Sequence, residues 1–271
     1  MQIIISADDF GRSHNRNMAV DYAMKKGFIK SAALMCSTDY SKEAVDLAIE
    51  GGYIENIHCH FNLTSGMQLS GNSKPVSENY IANSLLCRNG DFVPLRELRS
   101  YSIPIRFTRI IYDELDAQYN RFIDMTKGQG NYSHVDFHLY DNLRFPVAIA
   151  YNKIIKQYGI KSARWYGVHH VYYPSSRKTR YIALLKKIIH TNCIRVPSGN
   201  IDFFLTDRMS FGQETCELYV HPDYSDGNLI DNSMSFFNHP IQMLEKHIER
   251  LSDPSHMFVS WKEYDETSES K

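Results

Sequence analysis

Asp8 and Asp9 follow the apolar run Ile3-Ile4-Ile5, so two carboxylates stand where a buried strand ends. Side chains alternate along a strand, which lets one carboxylate bind a cation while its neighbour faces a substrate water. In Ile57-His58-Cys59-His60-Phe61 the two imidazoles share one strand face. Imidazole nitrogen is a good metal ligand; we read His60 as the ligand and His58 as supporting or structural. In His134-Val135-Asp136-Phe137-His138 three polar residues again fall on one face, with Val135 and Phe137 on the other. A carboxylate placed like Asp136 can orient a ligating imidazole through its second nitrogen. His221 stands between Val220 and Pro222, at the rim of a further strand. An imidazole there suits a proton donor or an oxyanion partner, with a purely structural histidine as the alternative.

One carboxylate and two imidazoles leave coordination positions open for water and substrate, as a catalytic divalent ion requires. Such an ion lowers the pKa of its water from about 16 towards about 7 and polarises a carbonyl. A free carboxylate beside it takes the proton. The chemistry is hydrolysis of an amide or ester. Nitrogen ligands favour zinc, and a single carboxylate with open water positions also admits magnesium. No Gly-x-Ser-x-Gly elbow, Walker loop or GxGxxG motif occurs, so neither a serine nucleophile nor a nucleotide cofactor is expected.

The four segments are far apart in sequence, and something must bring them together. β-rich runs at 3–5, 31–36, 57–63, 134–139, 161–165, 194–197, 217–220 and 257–261 alternate with helical stretches. Helices are expected at 15–26, at 42–48 behind a Ser41 cap, and at 106–127, 146–158, 174–190 and 238–251. This alternation predicts an α/β fold, a single-domain parallel β/α barrel of the TIM type, closed or else distorted or incomplete. In such a barrel the C-terminal strand ends share one face, where all four segments would meet. The domain is expected to span 1–264. Residues 64–104 form a long substrate loop or lid within it, and 265–271 a frayed polar tail.

Across 271 residues, Lys plus Arg is 30 and Asp plus Glu is 31. A nucleic-acid binder would show a basic surplus, so no nucleic-acid partner is expected. No apolar run approaches the roughly 20 residues that span a bilayer. Met1-Gln2 leads straight into the first strand, without the charged and apolar regions of a signal peptide. A cytoplasmic location with no membrane partner follows as an expectation, with the five scattered cysteines reduced. The oligomeric state is left open, a homodimer included.

Ser6-Ala7-Asp8-Asp9-Phe10-Gly11 followed by Gly27-Phe28-Ile29-Lys30-Ser31-Ala32, then His60-Phe61-Asn62-Leu63-Thr64-Ser65-Gly66, His134-Val135-Asp136-Phe137-His138 and His221-Pro222, resemble in order the motifs of the YdjC-like carbohydrate deacetylases, which act on chitooligosaccharides. The resemblance implies a β/α-barrel-like fold and hydrolysis of acetamido groups on sugars such as N-acetylglucosamine oligomers. It implies one divalent ion held by Asp9, His60 and His138, with Asp8 as general base by analogy with related sugar deacetylases; His221, from its place at the strand rim, is expected to be the second catalytic group. Asp136, His134, Asn62 and a substrate-side Arg164 would support the ligands or touch substrate. The chain departs from the family pattern at Phe137, Tyr140 and Asn142, and its proline is displaced to Pro146. Two other readings are a hydrolase of a different acyl amide and a sugar-binding barrel without turnover.

Overall fold

A computed structural model of the chain describes residues 1–64, 73–94, 97, 103–138, 144–164, 181, 184, 185, 187, 195, 197, 199–202, 215–232, 239–240 and 254–267. Its strands are β1 (Gln2–Phe10), β2 (Ser31–Leu34), β3 (Ile57–Phe61), β4 (Cys87–Arg88), β5 (Asp91–Phe92), β6 (His134–Phe137), β7 (Ser162–Ala163), β8 (Gly199–Asp202), β9 (Thr215–Val220), β10 (Pro222–Ser225), β11 (Asn228–Asp231), β12 (His239–Pro240) and β13 (Met257–Val259). The main sheet runs β7-β6-β3-β2-β1-β9-β8, and β13 pairs with β1 as an eighth strand. Every one of these pairings is parallel. β1 is buried along nearly its whole length, as a strand covered on both faces must be.

The sheet curls into a half-barrel. Among the described residues no ladder joins β7 to β8, so the barrel is an incomplete one; a single bridge, Ser162 with Arg195, lies at the β7 edge. Helices His14–Lys25, Ser41–Glu50, Thr108–Met125 and Phe145–Tyr158 alternate with the strands. Their apolar faces (Val20 and Ala23, Ala44 and Val45, Ile111 and Leu115, Val147 and Tyr151) join Ile3, Ile57, Val135 and Leu218 in one core. Ser13 caps the first helix by accepting from Arg16 N. The expected Ser41 cap is instead Tyr40, because the Ser41 hydroxyl turns back to the carbonyls of Met35 and Thr38. Gly159 ends the Phe145–Tyr158 helix in the left-handed conformation, at φ 63°.

The long segment after β3 has elements of its own, the short helix Glu78–Ile81 and the β4–β5 hairpin. It is pinned from below by the Thr108–Met125 helix. Buried Glu114 accepts from Val76 N and Ser77 N. Gln118, one turn on, bonds both the amide and the carbonyl of Asn62. A second sheet, β10-β11-β12, is antiparallel, and it takes 239–240 out of the helix expected at 238–251. The rest of that helix, and most of the one expected at 174–190, lie outside the described residues.

The C-terminal end also differs from expectation. The strand stops at Val259, and Trp261–Glu266 is a helix opened by a full capping box between Ser260 and Glu263. The polar tail thus begins later than 265. Trp261 is fully buried and stacks on His134 at 3.5 Å. Asp265 is buried and accepts from the Ser133 and Ser162 hydroxyls. Burial pushes its carboxyl up to about 6, against the lowering effect of those hydroxyls. The folded state therefore holds this proton more tightly than the unfolded chain. Its contribution to stability is complete below about pH 4 and is lost as pH rises through about 6. Thermal melts should show Asp265→Asn close to wild type at pH 4 and gaining on it by pH 7. A difference that stays constant between the two pH values would refute this.

Candidate active site

β1 does not stay regular to its end. Its register against β2 shifts between Ala7 and Phe10, and Asp9 has φ 62°. A non-glycine residue held there costs about 1–3 kcal/mol and marks a position the surroundings enforce. Gly11, at φ 93°, donates its amide to Asn17 Oδ1 at 2.7 Å, and Arg12 N returns to Asp9 O at 3.1 Å. Strict alternation would send Asp8 and Asp9 to opposite faces. With the bulge both converge on His60: Asp9 groups with His60 and His138, and Asp8 with His60 and Asp136, ligand atoms within 4.8 Å in each set.

His60 and Asp136 are directly paired across the parallel β3–β6 ladder. Asp136 Oδ1 takes His60 Nδ1 at 2.5 Å, which turns His60 Nε2 towards Asp9 Oδ1, 3.4 Å away. His138 Nδ1 lies 2.7 Å from the same oxygen. Asp9 Oδ1 and His60 Nε2 are both buried, and apart from these contacts within the trio neither meets a hydrogen-bond partner. Buried polar atoms are rarely left so, and a cation between them would satisfy both. Burial would raise the Asp9 carboxyl, but the charges of His138 and Arg12 outweigh it and hold the group well below the usual range. Burial lowers His138. Asp9 is thus held ionised, the form in which a carboxylate binds a metal. His60 is pushed up to about 10 by Asp136, with Asp9 and Asp8 adding to it, although burial opposes this. The cluster calls for positive charge at that point. The residues fit a divalent ion.

Asp8 sits beside this trio. Arg164, fully buried, grips its carboxylate through two nitrogens at 2.5 and 2.8 Å. The same guanidinium reaches Asp136 Oδ2 at 3.0 Å and Glu217 Oε1 at 2.6 Å. Arg164 thus stands inside a ring of three carboxylates. Glu217 was missed by the sequence reading, although a carboxylate in the middle of β9, on the same alternating face as His221, is the signal that could have found it. Burial raises Glu217 to about 7 despite Arg164. Arg12 was also missed; its Nη1 holds Asp9 Oδ2 at 2.7 Å.

His221 Nε2 stands 3.9 Å from Asp8 Oδ2, and burial lowers its pKa. His58 Nε2 bonds Asp136 Oδ2 at 3.1 Å, a supporting position. His134 points away from the trio: its Nδ1 meets Ser162 Oγ at 2.9 Å, and its ring lies between Trp261 and the edge of His58. Asn62 turns towards the loop, donating to Ser73 Oγ and accepting from Thr64 N. Tyr140 and Asn142 lie outside the described residues, as does Cys193; the other four cysteines are buried and free.

The chain is similar to several known proteins. A Listeria innocua protein named carbohydrate deacetylase 2 is 26% identical over 240 residues, 86% of this chain and 85% of its own length. A Clostridium beijerinckii carbohydrate deacetylase is 25% identical over 235 residues, covering 86% of each chain. A crystal structure from Enterococcus faecalis, of a protein provisionally described as a cellobiose-phosphate cleavage protein, superposes with a TM-score of 0.62 at 21% identity over 83% of this chain and 82% of that one, a likeness of fold. The sequence profile of YdjC-like proteins matches residues 2–255. The chain belongs to the YdjC-like protein family.

Proposed function

We propose that the chain is a metal-dependent carbohydrate deacetylase that hydrolyses the N-acetyl group of an amino sugar or short oligosaccharide. The observation that carries this reading is the buried cluster in which Asp9 Oδ1 faces His60 Nε2 at 3.4 Å and His138 Nδ1 at 2.7 Å, with Asp8 beside it. The names of the relatives agree with it. Asp9, His60 and His138 would hold one divalent ion, zinc or magnesium, which when bound lowers the pKa of water and polarises the acetamide carbonyl.

The protein's own groups do the rest. Asp136 holds Nδ1 of His60, which fixes the ring so that Nε2 remains the ligand. Arg164 fixes Asp8 by two bonds, and each carboxylate oxygen keeps a second lone pair. Asp8 takes the proton of the attacking water. His221 flanks the same carboxylate. Burial lowers its pKa and so favours the neutral imidazole, whose N–H would hydrogen-bond the oxyanion, while protonated Asp8 would return its proton to the departing amine. The segment 64–104 follows the His60 strand end and would wall the sugar site.

Released acetate, measured over a panel of N-acetylated sugars with metal-loaded protein, tests the reading; release from none of them would reject it. Asp8→Asn should keep its metal and lose about 100- to 10,000-fold in turnover. Near-normal turnover in that variant would move the base elsewhere. His221→Ala should lower kcat far more than it raises KM. A variant that loses binding but keeps kcat would make His221 a substrate contact.

A further inference from the structure

Asp9 presents its two oxygens unequally. Oδ1 faces His60 Nε2 at 3.4 Å and His138 Nδ1 at 2.7 Å, the two other proposed ligands, and no group outside the trio bonds to it. Oδ2 is clasped by Arg12 Nη1 at 2.7 Å. The clasp is built into the backbone: the left-handed Asp9, the Gly11 amide tied to Asn17 and the Arg12 N to Asp9 O bond together fold residue 12 back over residue 9. The Arg12 side chain is 30% exposed and that of Asp9 1%, so the guanidinium reaches in from the solvent side. His60 has its second nitrogen taken by Asp136. Each of these two ligands therefore turns one atom towards the trio while its other is engaged by a neighbour.

We infer that Arg12 confines Asp9 to one oxygen and thereby selects which divalent ion the site accepts. Zinc takes about four ligands, readily including nitrogen. Calcium seeks about 6–8 oxygens and often takes both from one carboxylate. A carboxylate with one oxygen clasped suits the first ion and handicaps the second. The positive charge of Arg12 also weakens the binding of every divalent ion by Coulomb repulsion. Absolute affinity is therefore not diagnostic, and the ratio between two ions is.

This inference rests on the metal site proposed above, and its test reads binding rather than turnover. The full chain is stripped of metal by a chelator and titrated separately with zinc and with calcium, as wild type, Arg12→Met and Arg12→Lys. Circular dichroism and melting curves check that each variant is folded. In Arg12→Met the zinc-to-calcium affinity ratio should fall about tenfold or more, because calcium gains the second oxygen. Arg12→Lys, which keeps a donor and the charge, should stay within about threefold of wild type. A ratio that is unchanged or rises in Arg12→Met overturns the inference, including the case where both ions tighten by one factor and Arg12 acts through charge alone. A wild-type protein that binds neither ion, nor magnesium, overturns the site reading itself and this inference with it.

Discussion

The carboxylate of Asp136 is fully buried, and a buried charge persists only if its surroundings match it. Burial would raise its pKa, but Arg164, His60 and His58 together hold it well below the usual carboxylate range. One oxygen takes His60; the other is shared by His58 and Arg164. These partners come from β3 and from the residue after β7, the two strands that flank β6. A one-residue slip of β6 against β3 would turn Asp136 to the other face and strand the charge. The register of three strands, the orientation of His60 and, through Arg164, the orientation of Asp8 all depend on this one group.

Much of the site was legible because polar residues interrupt apolar strands with a period of two. His60, Asp136 and His138 stand out against Phe61, Val135 and Phe137 on that ground. The meeting of Asp8 with Asp9 was less legible. It depends on a bulge and a left-handed residue, and no side-chain pattern announces a non-glycine at positive φ. Arg164 and Glu217 were hard to read for another reason. A lone charged residue near a short strand looks like a surface position until its counter-charge, far away in sequence, is brought beside it.

The same difficulty governs the elements. Glu114 and Gln118 lie one turn apart on an amphipathic helix and look like part of its wet face. They are buried because the backbone of 76–77 and of Asn62 covers them. The Ser260-x-x-Glu263 box was visible in the sequence, yet Met257 to Trp261 was read as one strand. Capping outweighed the strand preference of the aromatic residue. Whether the barrel closes was left open by the sequence, because counting strands says nothing about whether the two edges meet.

β1 lies between β2 and β9 and also carries β13 beside its first residues. During synthesis, Gln2 to Ala7 leave the ribosome long before Thr215 to Val220 and Met257 to Val259 exist to pair with them. The strand that bears Asp8 and Asp9 therefore waits, with an apolar edge open, until most of the chain has been made. Pairings of such long sequence separation form late and slowly, and an open edge in the meantime is a template for wrong partners. The interval before those partner strands emerge is therefore when β1 is most exposed to mispairing.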